Sequence, residues 1–229
     1  DYLAVQFLSL GIDIRKQLIC DCLAEIFKPK GIFERSDVAL RKKEGMQEVK
    51  GVLYGDVPEL VEIEENGIKM LVDIKNGQKT GYFLDQKENR FAARRYAAGG
   101  DVLDCLCNSG GFSLNCATVA NSVTACDISQ PALDSVLRNA QLNGIKNINT
   151  VCGDAFALLR DFRRDGRQFD LVILDPPAFC KSAAEVKDAY RGYKDINIQG
   201  IKLVKSGGFL ITCSCSHYMT SVLFERMLA

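Results

Sequence analysis

From residue 102 to residue 213 the chain alternates short apolar runs with longer stretches of helical spacing, five times in succession. The runs at 102–105, 123–126, 150–152, 171–174 and 208–213 hold few polar residues, so each reads as a strand covered on both faces. Helical spacing fills 111–120, 131–143, 155–164 and 183–204, and a last helix starts near Thr220. Pro131 stands near the start of its helix, where a missing N–H is harmless. Five βα units in a row specify an α/β fold with a mainly parallel sheet between helical layers.

The first 75 residues have another character, that of a small α+β piece. Residues 3–8 are strand-like, and 12–27 have helical spacing, with Ile14, Leu18, Ile19, Leu23 and Ile26 assigned to one apolar face. Lys28-Pro29-Lys30-Gly31 stops that helix, and Ile32-Phe33 opens another strand. Residues 41–55 are polar and contain glycine, so they read as a loop. Runs at 60–64 and 68–74 flank Glu65-Asn66-Gly67, a hairpin signal. Residues 85–98 read as a helix with Lys87, Arg90, Arg94 and Arg95 on a basic face. The expected division is thus an α+β domain at 1–75 and an α/β domain at 76–229.

Lysine plus arginine and aspartate plus glutamate both number 29, so no global charge draws the chain to nucleic acid, and any such surface is local. The basic groups on the helix at 85–98, with Arg163, Arg164 and Arg167, read equally as a nucleic-acid track or as solvated helix faces. Of the ten cysteines, Cys105, Cys107, Cys126, Cys152, Cys213 and Cys215 lie in or beside apolar runs, where thiols pack as small hydrophobes. No paired CxxC knuckles occur and His217 is the sole histidine, which argues against a metal site and for a reducing cytoplasm. No run reaches the ~18 apolar residues of a membrane span.

In a parallel sheet, ligands bind beyond the carboxyl ends of the strands. The first strand runs into Asn108-Ser109-Gly110-Gly111, where glycines allow close approach to the backbone. The second ends at Asp127, 17 residues beyond Gly110, placed to accept both hydroxyls of a ribose. The third runs into Gly153-Asp154, a carboxylate for an adenine amino group, and the fourth into Asp175-Pro176-Pro177. A dinucleotide reading lacks its G-x-G-x-x-G, whereas an adenosine with a methionine tail needs fewer glycines. The cofactor expected is S-adenosylmethionine.

Asp175-Pro176-Pro177-Ala178-Phe179 is a rigid turn carrying an acid and an aromatic ring, suited to bonding and stacking an extruded base. The fifth strand ends in Cys213-Ser214-Cys215-Ser216, whose two cysteines share one face if the strand persists. Cytosine C5 is not nucleophilic until a thiolate adds at C6, so a cysteine at this edge points to covalent methylation. The plainer reading is a pair of packing cysteines.

Over nearly its whole length the chain resembles the bacterial 23S rRNA cytosine-C5 methyltransferases, which join a PUA domain, an EEHEE domain and a class I (Rossmann-like) methyltransferase domain. The resemblance rests on Ser36-Asp37-Val38, Arg41-Lys42-Lys43-Glu44-Gly45, Asp73-Ile74, Lys79-Thr80-Gly81-Tyr82-Phe83-Leu84-Asp85-Gln86, Gly110-Gly111-Phe112, Asp175-Pro176-Pro177, Arg191-Gly192-Tyr193-Lys194-Asp195-Ile196-Asn197 and Ser214-Cys215-Ser216. It implies that 1–75 is most of an EEHEE domain, that the PUA domain is absent, and that a C-terminal hairpin completing the sheet is missing. The last strand should then have an open edge, and the chain alone should bind rRNA weakly.

The resemblance extends the cofactor set from Gly110, Gly111, Asp127, Asp154 and Asp175 to Asn108, Phe112, Ile128 and Ala155. It has Lys79, Tyr82, Asp85, Gln86 and Arg90 closing the site. It implies Cys215 and Asp175 as catalytic and Pro176, Pro177, Phe179, Tyr193 and Lys194 as substrate-binding. The partner implied is large-subunit ribosomal RNA, without membrane or metal, and a homodimer is compatible with the sequence.

Two departures stand out. Cys107, Asn108 and Ser109 replace the aromatic and threonine residues usual in the first glycine turn. Ala178 stands where other RNA cytosine-C5 methyltransferases carry a cysteine, and Cys180 lies two residues later. A related family shares Asp-Pro-Pro but methylates guanine and lacks the Ser-Cys-Ser cysteine, so Cys215 discriminates between them. A non-catalytic RNA-binding module is the further alternative, which has no reason to hold the cofactor.

Overall fold

The computed structural model describes residues 1–229. Residues 1–65 with 69–86 form one compact unit, and 66–68 with 87–229 a second.

In the first unit, β1 (Tyr2–Val5) leads through α1 (Leu10–Asp13) and α2 (Lys16–Phe27) to β2 (Gly31–Ser36). β2 is central, parallel to β1 and antiparallel to β3 (Val49–Gly55). The strand β3 and a 3-10 turn at Ala39–Glu44 occupy the segment expected to be a loop. Its strand escaped notice because β3 is an edge strand whose residues are mostly exposed, so the sequence shows no apolar alternation. The hairpin of β4 (Val61–Glu65) and β5 (Ile68–Val72) turns at Asn66 and Gly67, which both have positive φ, 56° and 76°. That is what a two-residue hairpin loop demands. Arg41 is fully buried and bonds Asp13 Oδ1 at 2.9 Å, the Gln47 carbonyl at 2.7 Å and the Phe7 carbonyl.

The apolar face assigned to α2 is corrected. Ile14, Leu18 and Ile26 are 69%, 63% and 70% exposed, while the inward stripe is Lys16, Ile19, Cys20, Leu23 and Ala24. The reason is angular: at about 100° per residue, Leu18 and Leu23 project about 140° apart, too wide for one face.

The second unit opens with α3 (Lys87–Ala97) and continues as β6 (Asp101–Cys105), α4 (Gly111–Ala117), β7 (Ser122–Asp127), α5 (Gln130–Leu142), β8 (Ile148–Cys152), α6 (Ala155–Arg164), β9 (Phe169–Leu174), α7 (Val186–Leu203), β10 (Val204–Thr212) and α8 (Ser221–Leu228). The five strands lie in the order β10-β9-β6-β7-β8, all parallel. Helices α3–α5 pack on one another as one layer and α6–α8 as the other. Leu103, Cys105, Cys126, Leu159, Phe162, Val172, Leu174 and Ile196 form the core beneath α6 and α7. β10 pairs only with β9 and is therefore an edge strand, as expected. The strand ends at Thr212, so Cys213 and Cys215 lie beyond it and the strand alternation does not extend to them. Cys152 is exposed rather than buried, because β8 is the opposite edge and Cys152 its last residue. Cys22 and Cys215 are also exposed, Cys213 is intermediate, and the other six thiols are buried. No helix is long and apolar enough to cross a membrane.

The burial contrast is testable by urea denaturation. Leu159, fully buried on α6, should cost about 2–5 kcal/mol when changed to Ala. Leu18→Ser should stay within about 0.5 kcal/mol. A cost above about 2 kcal/mol for Leu18→Ser contradicts the exposure of that face.

Candidate functional site

Register brings the strand ends to one level. Cys105 pairs with both Cys126 and Leu174, and Thr212 also pairs with Leu174. Leu106, Asp175 and Cys213 therefore leave the sheet together, beside Asp127, which ends β7 paired with Cys152. β6 is flanked by β7 on one side and β9 on the other, which makes this edge the topological switch point where ligands bind.

The loop after β6 is tightly wound. Leu106, Asn108 and Gly110 all have positive φ, at 64°, 50° and 84°. For a side chain as bulky as Leu this is strained backbone, of the kind that collects at functional sites. Asp127 latches the loop: Oδ2 accepts from the Asn108 N–H and Oδ1 from the Ser129 N–H, both at 2.9 Å. Asp154 caps α6, its Oδ1 accepting from the Ala157 N–H at 3.0 Å. Phe112 and Ala155 are buried, while Ile128, beside Asp127, is an apolar side chain 70% exposed. Arg90 is buried under the glycine turn; a Cβ on Gly111 would lie 2.8 Å from its Cδ. The other four residues expected to close the site belong to the first unit. Lys79 is exposed with its ammonium 4.6 Å from the Phe83 ring centroid, Tyr82 is buried and donates to Glu65, and Asp85 and Gln86 lie in a 3-10 turn.

Sequence reasoning passed over Asp104. Strand alternation turns Leu103 and Cys105 into the core under α6 and α7 and turns Asp104 toward α4, where Oδ2 accepts from the Ser113 hydroxyl at 2.5 Å. It is 1% exposed, and its Oδ1 is buried without a hydrogen-bond partner. Burial, with the nearby Asp175 and Asp127 charges adding to it and the Ser113 bond opposing it, raises its pKa to about 7. The available signal was an acid inside an otherwise apolar strand.

On the β9 and β10 side, Pro176 is buried and Pro177 exposed. Cys215 is exposed, its Sγ 3.8 Å from the Pro176 carbonyl oxygen. Ser216, buried behind it, accepts from the Cys180 N–H at 3.1 Å and shares a 2.9 Å hydrogen bond with the Tyr193 hydroxyl. Tyr193 is fully buried, with its ring 4.6 Å from Phe179 and edge-on to Phe224. Expected to touch substrate, it instead ties the Asp-Pro-Pro loop to the Ser-Cys-Ser loop. A Cβ on Gly192 would lie 3.2 Å from the Phe179 ring, so glycine there lets Phe179 rest on α7. Phe179 is half-buried, between Tyr193 and Phe156, and Lys194 is exposed. Cys180 is buried with its Sγ on the Ser182 carbonyl. The basic helix face divides: Arg90 is buried and Arg94 bonds Asn115, leaving Lys87 and Arg95 exposed. Arg164 pairs with Asp161 and Asp165, and Arg167 lies over Phe162 and Phe169.

A parallel sheet in this order, with acids and a glycine turn at its carboxyl edge, defines a class I, Rossmann-like methyltransferase. The chain belongs to the S-adenosylmethionine-dependent methyltransferase family, whose pattern matches residues 36–225. It is 48% identical over 234 residues to the ribosomal RNA large subunit methyltransferase I of Aeromonas hydrophila, and 46% over 235 residues to that of Vibrio cholerae. Both alignments cover all of this chain and 59% of the relative, so the chain spans about three-fifths of those proteins' length. Among solved structures, the methyltransferase SMU.776, complexed with SAH, matches with a TM-score of 0.82 at 25% identity, covering 98% of this chain and 58% of that one. The tRNA m1G37 methyltransferase of M. jannaschii, at 20% identity and a TM-score of 0.66, covers 97% of this chain and 63% of its own, and shares the fold. The site suits the family's cofactor: the orphaned Asp104 Oδ1 lies near the switch point, and exposed Ile128 offers an apolar surface beside Asp127.

Asp104 makes stability depend on pH. Its folded pKa lies above the ordinary 3.8, so the folded state holds the proton more tightly than the unfolded state. Its contribution is therefore greatest below about pH 4 and is lost as pH rises toward 7. Asp104→Asn keeps an acceptor for Ser113 without the charge. It should raise stability at pH 8 by on the order of 2–4 kcal/mol and flatten the decline between pH 4 and 7. Urea midpoints across that range check this; an unchanged or lowered pH 8 value contradicts the buried charge.

Proposed function

We propose that the chain carries the catalytic machinery of a methyltransferase that converts cytosine to 5-methylcytosine in large-subunit ribosomal RNA, with Cys215 as nucleophile. The observation that supports this best is an exposed Cys215 thiol on the loop held against the Asp-Pro-Pro turn. Methylation of a guanine nitrogen needs no thiol, and a binding module needs none either. The names carried by the A. hydrophila and V. cholerae relatives favour ribosomal RNA as the substrate.

S-adenosylmethionine, when bound, supplies the methyl group; Gly110, Gly111 and Asn108 would hold its tail, Asp127 and Ile128 its ribose, and Asp154 and Ala155 its adenine. The Cys215 thiolate adds to C6, and the C5–C6 π pair moves onto C5, which is thereby able to accept the methyl group. Loss of the C5 proton re-forms the double bond and expels the thiolate. Asp175 accepts from the exocyclic amino group and from N3–H once N3 is protonated, stabilising charge as it develops on the ring. Pro176 and Pro177 stiffen the turn, and Phe179 packs beside it. Cys180, closed off from solvent, takes no part.

Asp127→Ala should weaken S-adenosylmethionine binding by about 1.5–3 kcal/mol, because charge-assisted bonds to both hydroxyls are lost along with the loop latch. Calorimetry showing unchanged affinity removes Asp127 from the site.

RNA containing 5-fluorocytidine tests the chemistry, since fluorine at C5 blocks the final elimination. With cofactor present, a stable covalent adduct is expected; it should vanish in Cys215→Ala and persist in Cys213→Ala. The reverse pattern makes Cys213 the nucleophile. No adduct, with methyl groups appearing on guanine, overturns the cytosine reading.

A further inference from the structure

A groove of about 640 Å³, within the size range of small-ligand sites, shares only Lys194 with the site residues described so far. Val186, Tyr190 and Leu223 give it apolar and aromatic walls, and Lys187, Arg191 and Lys194 line it with positive charge; no carboxylate lines it. One wall is the first half of α7, which follows the Asp-Pro-Pro loop. Ala183 and Ala184, just before α7, and Leu223 of α8, the helix that follows the Ser-Cys-Ser loop, complete the lining. The chain segments that follow Asp175 and Cys215 thus each supply lining residues, starting at Ala183 and at Leu223. Tyr190 and Tyr193 are one turn apart on α7, and Tyr190 packs against the cluster of Tyr193 and Cys180 beside which Phe179 lies. The Arg191–Asp188 pair, at 3.4 Å between side chains 69% and 82% exposed, is too solvated to neutralise the cations.

We propose that this groove seats a nucleotide flanking the target base in single-stranded RNA, with Tyr190 against the base and Lys187 and Arg191 on the phosphates. This rests on the reading of RNA as substrate. Aromatic faces stack bases of any sequence, and lysine and arginine supply the salt-dependent part of RNA affinity. On a chain with 29 basic and 29 acidic residues, three cations free of a lining acid form a local track of the kind a single strand needs. A protein partner has no comparable claim to a small groove whose only charged lining residues are cations around a tyrosine.

The test measures anisotropy of a fluorescein-labelled ten-nucleotide oligocytidylate across a salt series, with S-adenosylmethionine affinity as a check on folding. Lys187→Glu combined with Arg191→Glu should weaken RNA binding at least tenfold at low salt. The slope of log K against log salt should become shallower by about 1.4, for two phosphate contacts on a single strand. Tyr190→Ala should weaken binding about tenfold and leave the slope unchanged. Cofactor affinity should not change in any of them. RNA affinity and slope equal to the parent's overturn the proposal. So does sedimentation in which the variants lose self-association but keep RNA binding, which gives the groove to a second copy. The fluorocytidine adduct separates the two readings: an adduct with unchanged affinity in the variants removes the groove alone. Loss of affinity without any adduct in the parent keeps the groove and removes the cytosine assignment.

Discussion

The site depends on one alignment, the pairing of Cys105 with Cys126 on one side and Leu174 on the other. Because the three central strands end within one residue of the same level, Asp127 at the end of β7 and the residues that follow β6 and β9 emerge at one edge. Below that level the middle of each strand is buried and mostly apolar, with Asp104 and Thr124 as buried polar residues. A slip of one residue in either ladder would turn Asp127 or Asp175 toward a helical layer and draw a core side chain out to the edge. The helical layer of α6 and α7 helps hold the register, since Leu103, Val172 and Leu174 on that face of the sheet pack into one core with Leu159, Phe162 and Ile196.

Above the sheet, a second point of control is the Ser216 hydroxyl. It takes the Cys180 N–H and meets the Tyr193 hydroxyl, so one oxygen joins α7 to both loops. The Arg-Gly-Tyr-Lys-Asp segment gains a physical explanation from this. Its glycine admits the Phe179 ring, its tyrosine holds Ser216, its lysine lines the neighbouring groove, and Asp195 pairs with Arg160 of α6.

The five strands of the second unit were legible because a strand enclosed on both faces is apolar at nearly every position, and α6 was read to the residue because Asp154 caps it. The first unit was less legible. β3 lies at an edge with little buried surface, and α2 uses cysteine and alanine on its inner face while larger apolar residues stand in solvent. At the site, the strand-end acids were visible from spacing alone, whereas the shared face expected of Cys213 and Cys215 needed a strand that ends at Thr212, one residue before them. The burial of Tyr193 and Arg90 was not, since a tyrosine or arginine in a helix gives no sign of whether it faces ligand or core until the neighbouring helix is placed. Asp104 was visible as a residue but not as a problem, because only the packed α4 layer shows that one of its oxygens has no partner.

The uneven burial of sulfur gives the molecule a property of its own. Cys22, Cys152 and Cys215 face solvent, and they lie on α2, at the carboxyl end of β8 and on the loop after β10. Most of the remaining thiols are sealed, several of them inside the central strands. Alkylation is thereby sorted by location: surface sulfurs react in the native state, and each buried one reacts only as the element that covers it opens. The chain thus carries an intrinsic stopwatch for its own unfolding, with Cys105 and Cys126, opposed across the central ladder, as its last marks.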